Sequence, residues 1–332
     1  MKYVLCVLVV LSSLILISCN SGRKDPGVQK ENHALVKNDT LDTPDIVKDN
    51  QRKNDLIVNK LKGKVRTQTK MNFRVENIAG EYTKGALLSK TTVRFNTRGF
   101  RTEEDSYDTD GSLTDKWIFQ YDDKDNLIST LSYLPDGSIG NKIIYSYDDK
   151  GNMIVETAFV SGKLQYRATR KYDSKGNIFQ YISYNPDGGI MYKSVGIYTY
   201  NSRGNKAEEK SYTSYGARNI LTFDNEGNRT GYSEFASDGS LLSTTVEVYD
   251  NKGNNLGYTT CKSDGSLRSK SVYRYDDSGE RIEETHYKPD GSLEKNTLMT
   301  YEKDKTGNSI TSNSYENGML AWIFAYEFEY YE

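Results

Sequence analysis

Asp108-Thr109-Asp110-Gly111 has the acidic, glycine-bearing pattern that opens a calcium loop. In its helix–loop–helix form such a loop needs a glutamate at its twelfth position; counted from Asp108, that position holds Phe119. Asp122-Asp123-Lys124-Asp125-Asn126 is a second acidic run of the same kind. His286, with Glu283 and Glu284 near it, could move a proton, but the sequence shows no nucleophile or second group converging on it. His33 is the one other histidine, so no histidine pair is on hand for a metal. Trp117, Tyr181 and Tyr258 could stack on sugar rings or partner side chains, because an aromatic offers an apolar face and, in Trp and Tyr, a polar tip. No Walker, dinucleotide-binding, zinc or Gly-x-Ser-x-Gly pattern is present. No catalytic residue, metal or cofactor is therefore expected.

These residues sit in a repeat. Tyr147-Asp148-Asp149-Lys150-Gly151-Asn152 returns as Tyr172-Asp173-Ser174-Lys175-Gly176-Asn177 and as Tyr249-Asp250-Asn251-Lys252-Gly253-Asn254. The opening aromatics are Phe95, Tyr121, Tyr147, Tyr172, Tyr200, Phe223, Tyr249, Tyr275 and Tyr301, spaced by 23 to 28 residues. A period of that size marks a repeat architecture. Twelve residues into each of the first eight copies stands a second landmark, aromatic as in Tyr133, Phe159, Tyr184 or Tyr287, with Tyr315 taking the role after a two-residue insertion in the ninth; Cys261 takes that slot once, where a buried, unreactive thiol is expected. An Asp-Gly pair follows, as in Asp136-Gly137 and Asp290-Gly291. Both landmarks are hairpin chemistry: a type I turn closed by a residue of positive φ. The acidic runs are thus read as turns before they are read as ligands.

One copy is then two strands and two turns, with roughly nine residues, or about 30 Å, per strand. Nine copies predict about eighteen antiparallel strands, an all-β meander forming a long, strongly twisted or curled sheet. Residues 64–73 read as a first, capping strand. Strict alternation puts Tyr121, Leu127, Leu131, Tyr133, Ile139, Ile143 and Tyr145 on one face, and Ile128, Thr130, Ser132, Lys142, Ile144 and Ser146 on the other. A barrel crossing a membrane is not expected, since its outer face should be continuously apolar and mean hydropathy is −0.74.

The N-terminus reads as an export segment: Met1-Lys2, an apolar run from Val4 to Ile17, then Ser18-Cys19. It resembles a bacterial lipobox, which implies an acyl (palmitate-type) lipid on Cys19 and a membrane-anchored protein. Lys24-Asp25 resembles the Lys-acidic surface-export signal of Bacteroidetes lipoproteins, which implies outer-membrane placement, facing the periplasm or the cell surface. The division expected is 1–18 signal peptide, 19–54 flexible tether and 55–332 repeat domain. With 46 acidic against 44 basic residues, attraction to nucleic acid is not expected.

The Tyr-Asp-x-x-Gly-Asn motif, its aliphatic strand and the Asp-Gly turn resemble the YD repeats of the RHS family over residues 82–326. The Asp-Gly-Ser-Leu half is also similar to the Tyr-x-x-Asp-Gly repeats of YwqK-type proteins. Such repeats imply a β-architecture and leave function open. The expected role is a non-enzymatic envelope lipoprotein whose β-repeat surface binds a protein or glycan partner. The alternatives are a structural or assembly component of the envelope, and an RHS-related toxin accessory or immunity protein.

Overall fold

A computed structural model describes residues 53–332. The lipidation residue Cys19, the export segment and almost all of the tether lie outside that range. The first element is a one-turn helix, α1 (Asp55–Val58), capped by the Asn54 side chain. Twenty strands follow: β1 (Val65–Ile78), β2 (Glu81–Phe95), β3 (Arg101–Tyr107), β4 (Leu113–Tyr121), β5 (Leu127–Tyr133), β6 (Ile139–Tyr147), β7 (Met153–Val160), β8 (Lys163–Tyr172), β9 (Ile178–Tyr184), β10 (Ile190–Tyr200), β11 (Lys206–Thr213), β12 (Arg218–Phe223), β13 (Arg229–Phe235), β14 (Leu241–Tyr249), β15 (Asn255–Lys262), β16 (Leu267–Tyr275), β17 (Arg281–Tyr287), β18 (Leu293–Lys303), β19 (Ser309–Glu316) and β20 (Met319–Tyr330). The nine copies supply β3 to β20; β1 and β2 are an additional long hairpin.

The turns are built as their residues require. Asp148 N–H donates to the Asn152 carbonyl (2.9 Å) and Gly151 N–H to the Asp148 carbonyl (3.0 Å), with Gly151 at φ 79°. The Asp148 carboxylate accepts from the backbone of Lys150 and of Asn152. Asp125 takes the glycine position at φ 66°, a conformation Asp tolerates. Both acidic runs are therefore hairpin turns.

The sheet is not an open ribbon. β1 pairs antiparallel with β2 on one side and with β20 on the other, so the meander closes into a twenty-stranded barrel. The expected curled sheet is corrected to a closed one, and the capping strand turns out to be the closing strand. Closure satisfies both edges, each otherwise a row of unpaired backbone groups.

The expected faces also need correction. Tyr121 lies opposite Leu127, as the turn dictates, but Gln120 lies opposite Ser129, leaving Ile128 without a counterpart. The same one-residue slip follows Tyr147, Phe223 and Tyr275. Each such bulge exchanges the faces of everything beyond it. Tyr121, Ile143 and Tyr145 therefore share a face with Thr130 and Ser132, whereas Leu131, Tyr133 and Ile139 lie with Lys142 and Ile144 on the other. The two aromatics of each copy point to opposite sides.

The hand of the barrel tells inside from outside. Strands in closed barrels coil in one sense because strands twist in one sense. Stepping from partner to partner through all twenty strands returns to β1 further toward its C-terminal end. With that hand, the face of Tyr121, Tyr147 and Tyr172 is the inner one, and that of Tyr133, Phe159 and Tyr184 the outer. About eight strands make a barrel that its own side chains fill, and sixteen or more leave a lumen. Burial agrees: most strand residues are half-exposed, and away from the closure the most buried inner-face residues, Ala168, Ser132, Ser243 and Ser271, are small. One apolar cluster sits at the closure, where Leu56 of α1 meets Val65 and Phe95, with Leu61, Val93, Phe328 and Tyr330 against it.

Candidate functional site

The inner face is tied together by its tyrosines. The Tyr121 hydroxyl donates to the Arg101 carbonyl (2.8 Å), Tyr147 to Leu127 (2.8 Å), Tyr172 to Met153 (2.7 Å) and Tyr275 to Asn255 (2.8 Å). Each phenol lies back across the preceding hairpin and ends on the first or second residue after its turn. A tyrosine laid on a sheet needs a partner for its hydroxyl, and the carbonyl freed by the bulged turn provides one. Burial raises the pKa of Tyr172 and pushes Tyr198 up to about 12.

The three aromatics singled out in the sequence all fall on this face, in separate clusters. Trp117 lies opposite Glu104 and Ser132 and donates its ring N–H to the Asp115 carboxylate (2.6 Å). Tyr181 lies opposite Arg170, whose guanidinium is 5.2 Å from its ring centre, and touches Tyr192 (6.0 Å), which touches Tyr215 (6.1 Å). Arg170 in turn holds Glu156 (2.7 Å), and Glu156 accepts the Tyr166 hydroxyl. Tyr258 lies opposite Ser271 and near Tyr273 (6.5 Å). None of the three meets another. Tyr181 and its neighbours occupy the stretch, between Tyr172 and Phe223, where the repeat spacing is least regular.

One constellation escaped sequence reasoning. Ser271 Oγ lies 2.8 Å from His286 Nδ1, and His286 Nε2 lies 2.9 Å from Glu284 Oε1. Serine, imidazole and carboxylate in a string are the parts of an acyl-transfer triad. Here Ser271 is 2% exposed, and Glu284 is shared with Arg281 (3.2 Å). A nucleophile must reach its substrate, and a seryl oxygen under this cover does not, so the string orients His286. Ser271 was invisible because it lies fifteen residues upstream, adjacent only once the register of β16 and β17 is known. Cys261, on the outer face at 7% exposure, is disulfide-bonded, not the unreactive thiol expected. Among the described residues no group of three His, Cys, Asp or Glu is placed to hold a metal.

Comparison with known proteins adds a little. A family model described as "Uncharacterised protein" matches residues 82–171. No curated protein matches the chain. Among solved structures, a porin-like protein from Bacteroides uniformis is 13% identical, with 80% of this chain and 96% of that one covered and a TM-score of 0.34. A porin-like protein from Bacteroides vulgatus is also 13% identical, covering 80% of this chain and 98% of that one at a TM-score of 0.28. The crystal structure of TcdB2-TccC3-TEV is 13% identical, covering 72% of this chain at a TM-score of 0.30, and the chain spans only 16% of its length. Scores at this level say nothing about activity.

Proposed function

We propose that this protein is a non-enzymatic binding module of the bacterial outer membrane, held there by a lipid on Cys19, whose barrel receives a protein or glycan partner. The supporting observation is the closed, wide barrel with a solvated inner face of tyrosines, serines and scattered charges. A hollow of that kind offers flat apolar rings and polar tips to a partner. No helix among the described residues is long and apolar enough to cross a membrane. The barrel itself is poorly suited to cross one. Its outer face carries Lys116, Lys142, Arg167, Arg218 and Lys270, each directly opposite an aromatic of the next strand. A lysine or arginine facing lipid costs about 2–4 kcal/mol at mid-bilayer.

The test is quantitative binding of the purified full chain to a glycan array and to individual purified envelope proteins. Saturable binding that weakens at least tenfold in Tyr181→Ala or Tyr258→Ala supports the reading; no binding to either class counts against it. Protease treatment of intact cells distinguishes a surface from a periplasmic position. Turnover abolished by His286→Ala would remove the non-enzymatic part. A structural role in the envelope is favoured by one observation: Ile144, Ile197, Val246, Val272 and Leu298 stand exposed on the outer face, where another chain could cover them.

A further inference from the structure

At the closure of the barrel the residues after α1 fold over the inner face of β1, β19 and β20. They are clamped there. Asn308 accepts from the Lys62 N–H (2.7 Å) and donates to the Lys62 carbonyl (2.8 Å), while Asp55 accepts from the Arg101 N–H (2.7 Å). Beneath this strap is a cavity of about 270 Å³. That is room for one small ring.

The lining combines repeat residues with residues that only the closure brings to them. Tyr301, Tyr326 and Phe328 supply aromatic surface, with Gln68 beside them. Repeat tyrosines spend their hydroxyls on backbone carbonyls, as Tyr301 does on Arg281 (2.9 Å), or on carboxylates, as Tyr249 does on Glu247 (2.7 Å). Tyr326 has no hydrogen-bond partner among the described residues, and burial alone raises its pKa. Its hydroxyl is thus free to serve a guest. Of the charges on the lining, Lys303 is neutralised by Glu280. Lys60 and Lys62, on the strap, have no carboxylate partner among the described residues, which leaves an excess of positive charge over an aromatic floor.

We infer that this cavity binds one acidic sugar residue, a monosaccharide ring carrying a carboxylate. The ring's C–H face lies on the aromatic side chains, Tyr326 and Gln68 meet its hydroxyls, and Lys60 and Lys62 take the carboxylate. The inference rests on the proposed binding function and names its ligand class.

Isothermal titration of the purified full chain with D-glucuronate, D-galacturonate and D-glucose tests it. Saturable binding of at least one uronate is expected, at least tenfold tighter than glucose and weakened by added salt. Tyr326→Phe, which keeps the ring, should weaken that uronate severalfold. Lys60→Gln with Lys62→Gln should remove the preference over glucose. Lys305→Gln, outside the cavity, should change nothing, and unfolding midpoints show whether each variant is intact. No saturable uronate binding, equal binding of glucose, or uronate binding indifferent to Tyr326→Phe and the lysine pair would overturn the inference. If the chain still binds a partner on arrays or among envelope proteins, only the cavity assignment falls; if it binds neither, the binding function falls with it.

Discussion

The Tyr172 hydroxyl ends on the Met153 carbonyl at 2.7 Å, in an arrangement that several copies share. A neutral hydrogen bond of this kind contributes about 0.5–1.5 kcal/mol net. Tyr172→Phe keeps the ring and leaves the carbonyl unserved, so it should destabilise by about that amount, read as a lower urea midpoint at unchanged slope. An unchanged midpoint would mean that the tyrosines act through their rings alone. Single residues also show the limit of sequence reading. Trp117, Tyr181 and Tyr258 were legible as aromatics with something to offer, because ring chemistry is a property of the residue. Their neighbours were not. Arg170 beside Tyr181 and Ser271 beside Tyr258 are cross-strand partners, and a one-residue change of register would have replaced both.

The hairpin turn is the element that recurs, and its chemistry was fully readable. Asp, Gly and their spacing act within five residues, so nothing distant is needed to interpret them. At Gly291 φ is 82° and no atom lies within 4 Å of an added Cβ, so Gly291→Ala tests backbone strain alone. It should cost roughly 1–2 kcal/mol, measurable as a fall in unfolding midpoint; a neutral result would mean that the turn relaxes. The turn aspartates add a pH dependence. Hydrogen bonds from Ser112, Ser138, Ser240, Ser266 and Ser292 hold Asp110, Asp136, Asp238, Asp264 and Asp290 below the usual carboxylate value of 3.8. A carboxylate whose folded pKa lies below its unfolded one stabilises the fold above the unfolded value, and that contribution disappears as pH falls through the folded value. Urea midpoints should therefore hold from neutral pH down to about 5 and drop below about 4. Replacing Asp238 and Asp264 with Asn should shrink the drop. What was not readable in the hairpin is its second irregularity, the bulge beyond the turn. It depends on how two neighbouring strands settle their shared ladder.

For the whole molecule, closure is the decisive event, and β1 makes it. Thr69 sits mid-strand, opposite Glu327 of β20 and Thr92 of β2. Proline there cannot donate to the ladder and is confined to edge strands, so Thr69→Pro should unseat β1. The expected result is a larger radius of gyration by small-angle X-ray scattering, and self-association through the two exposed edges, read by light scattering. A compact monomer would show that closure does not depend on β1. The same variant should loosen the strap held over the closure, since Lys62 and Val65 are three residues apart.

Period, strand content and turn type could be read from the chain alone. Each is set by contacts within a few residues, and a repeat states them nine times over. Closure could not. β1 and β20 meet across almost the whole described chain, and no local residue choice encodes that meeting; it comes from twist and register accumulated over twenty strands. The faces were misread for a related reason, because one bulge per hairpin exchanges inside and outside. With closure come the lumen, the strap and the cavity at the seam, where Lys60 and Lys62 lie over Tyr326 more than two hundred residues away. The acidic turns that first looked like ligand sites are local architecture, and the surfaces able to hold a partner exist only because the sheet meets itself.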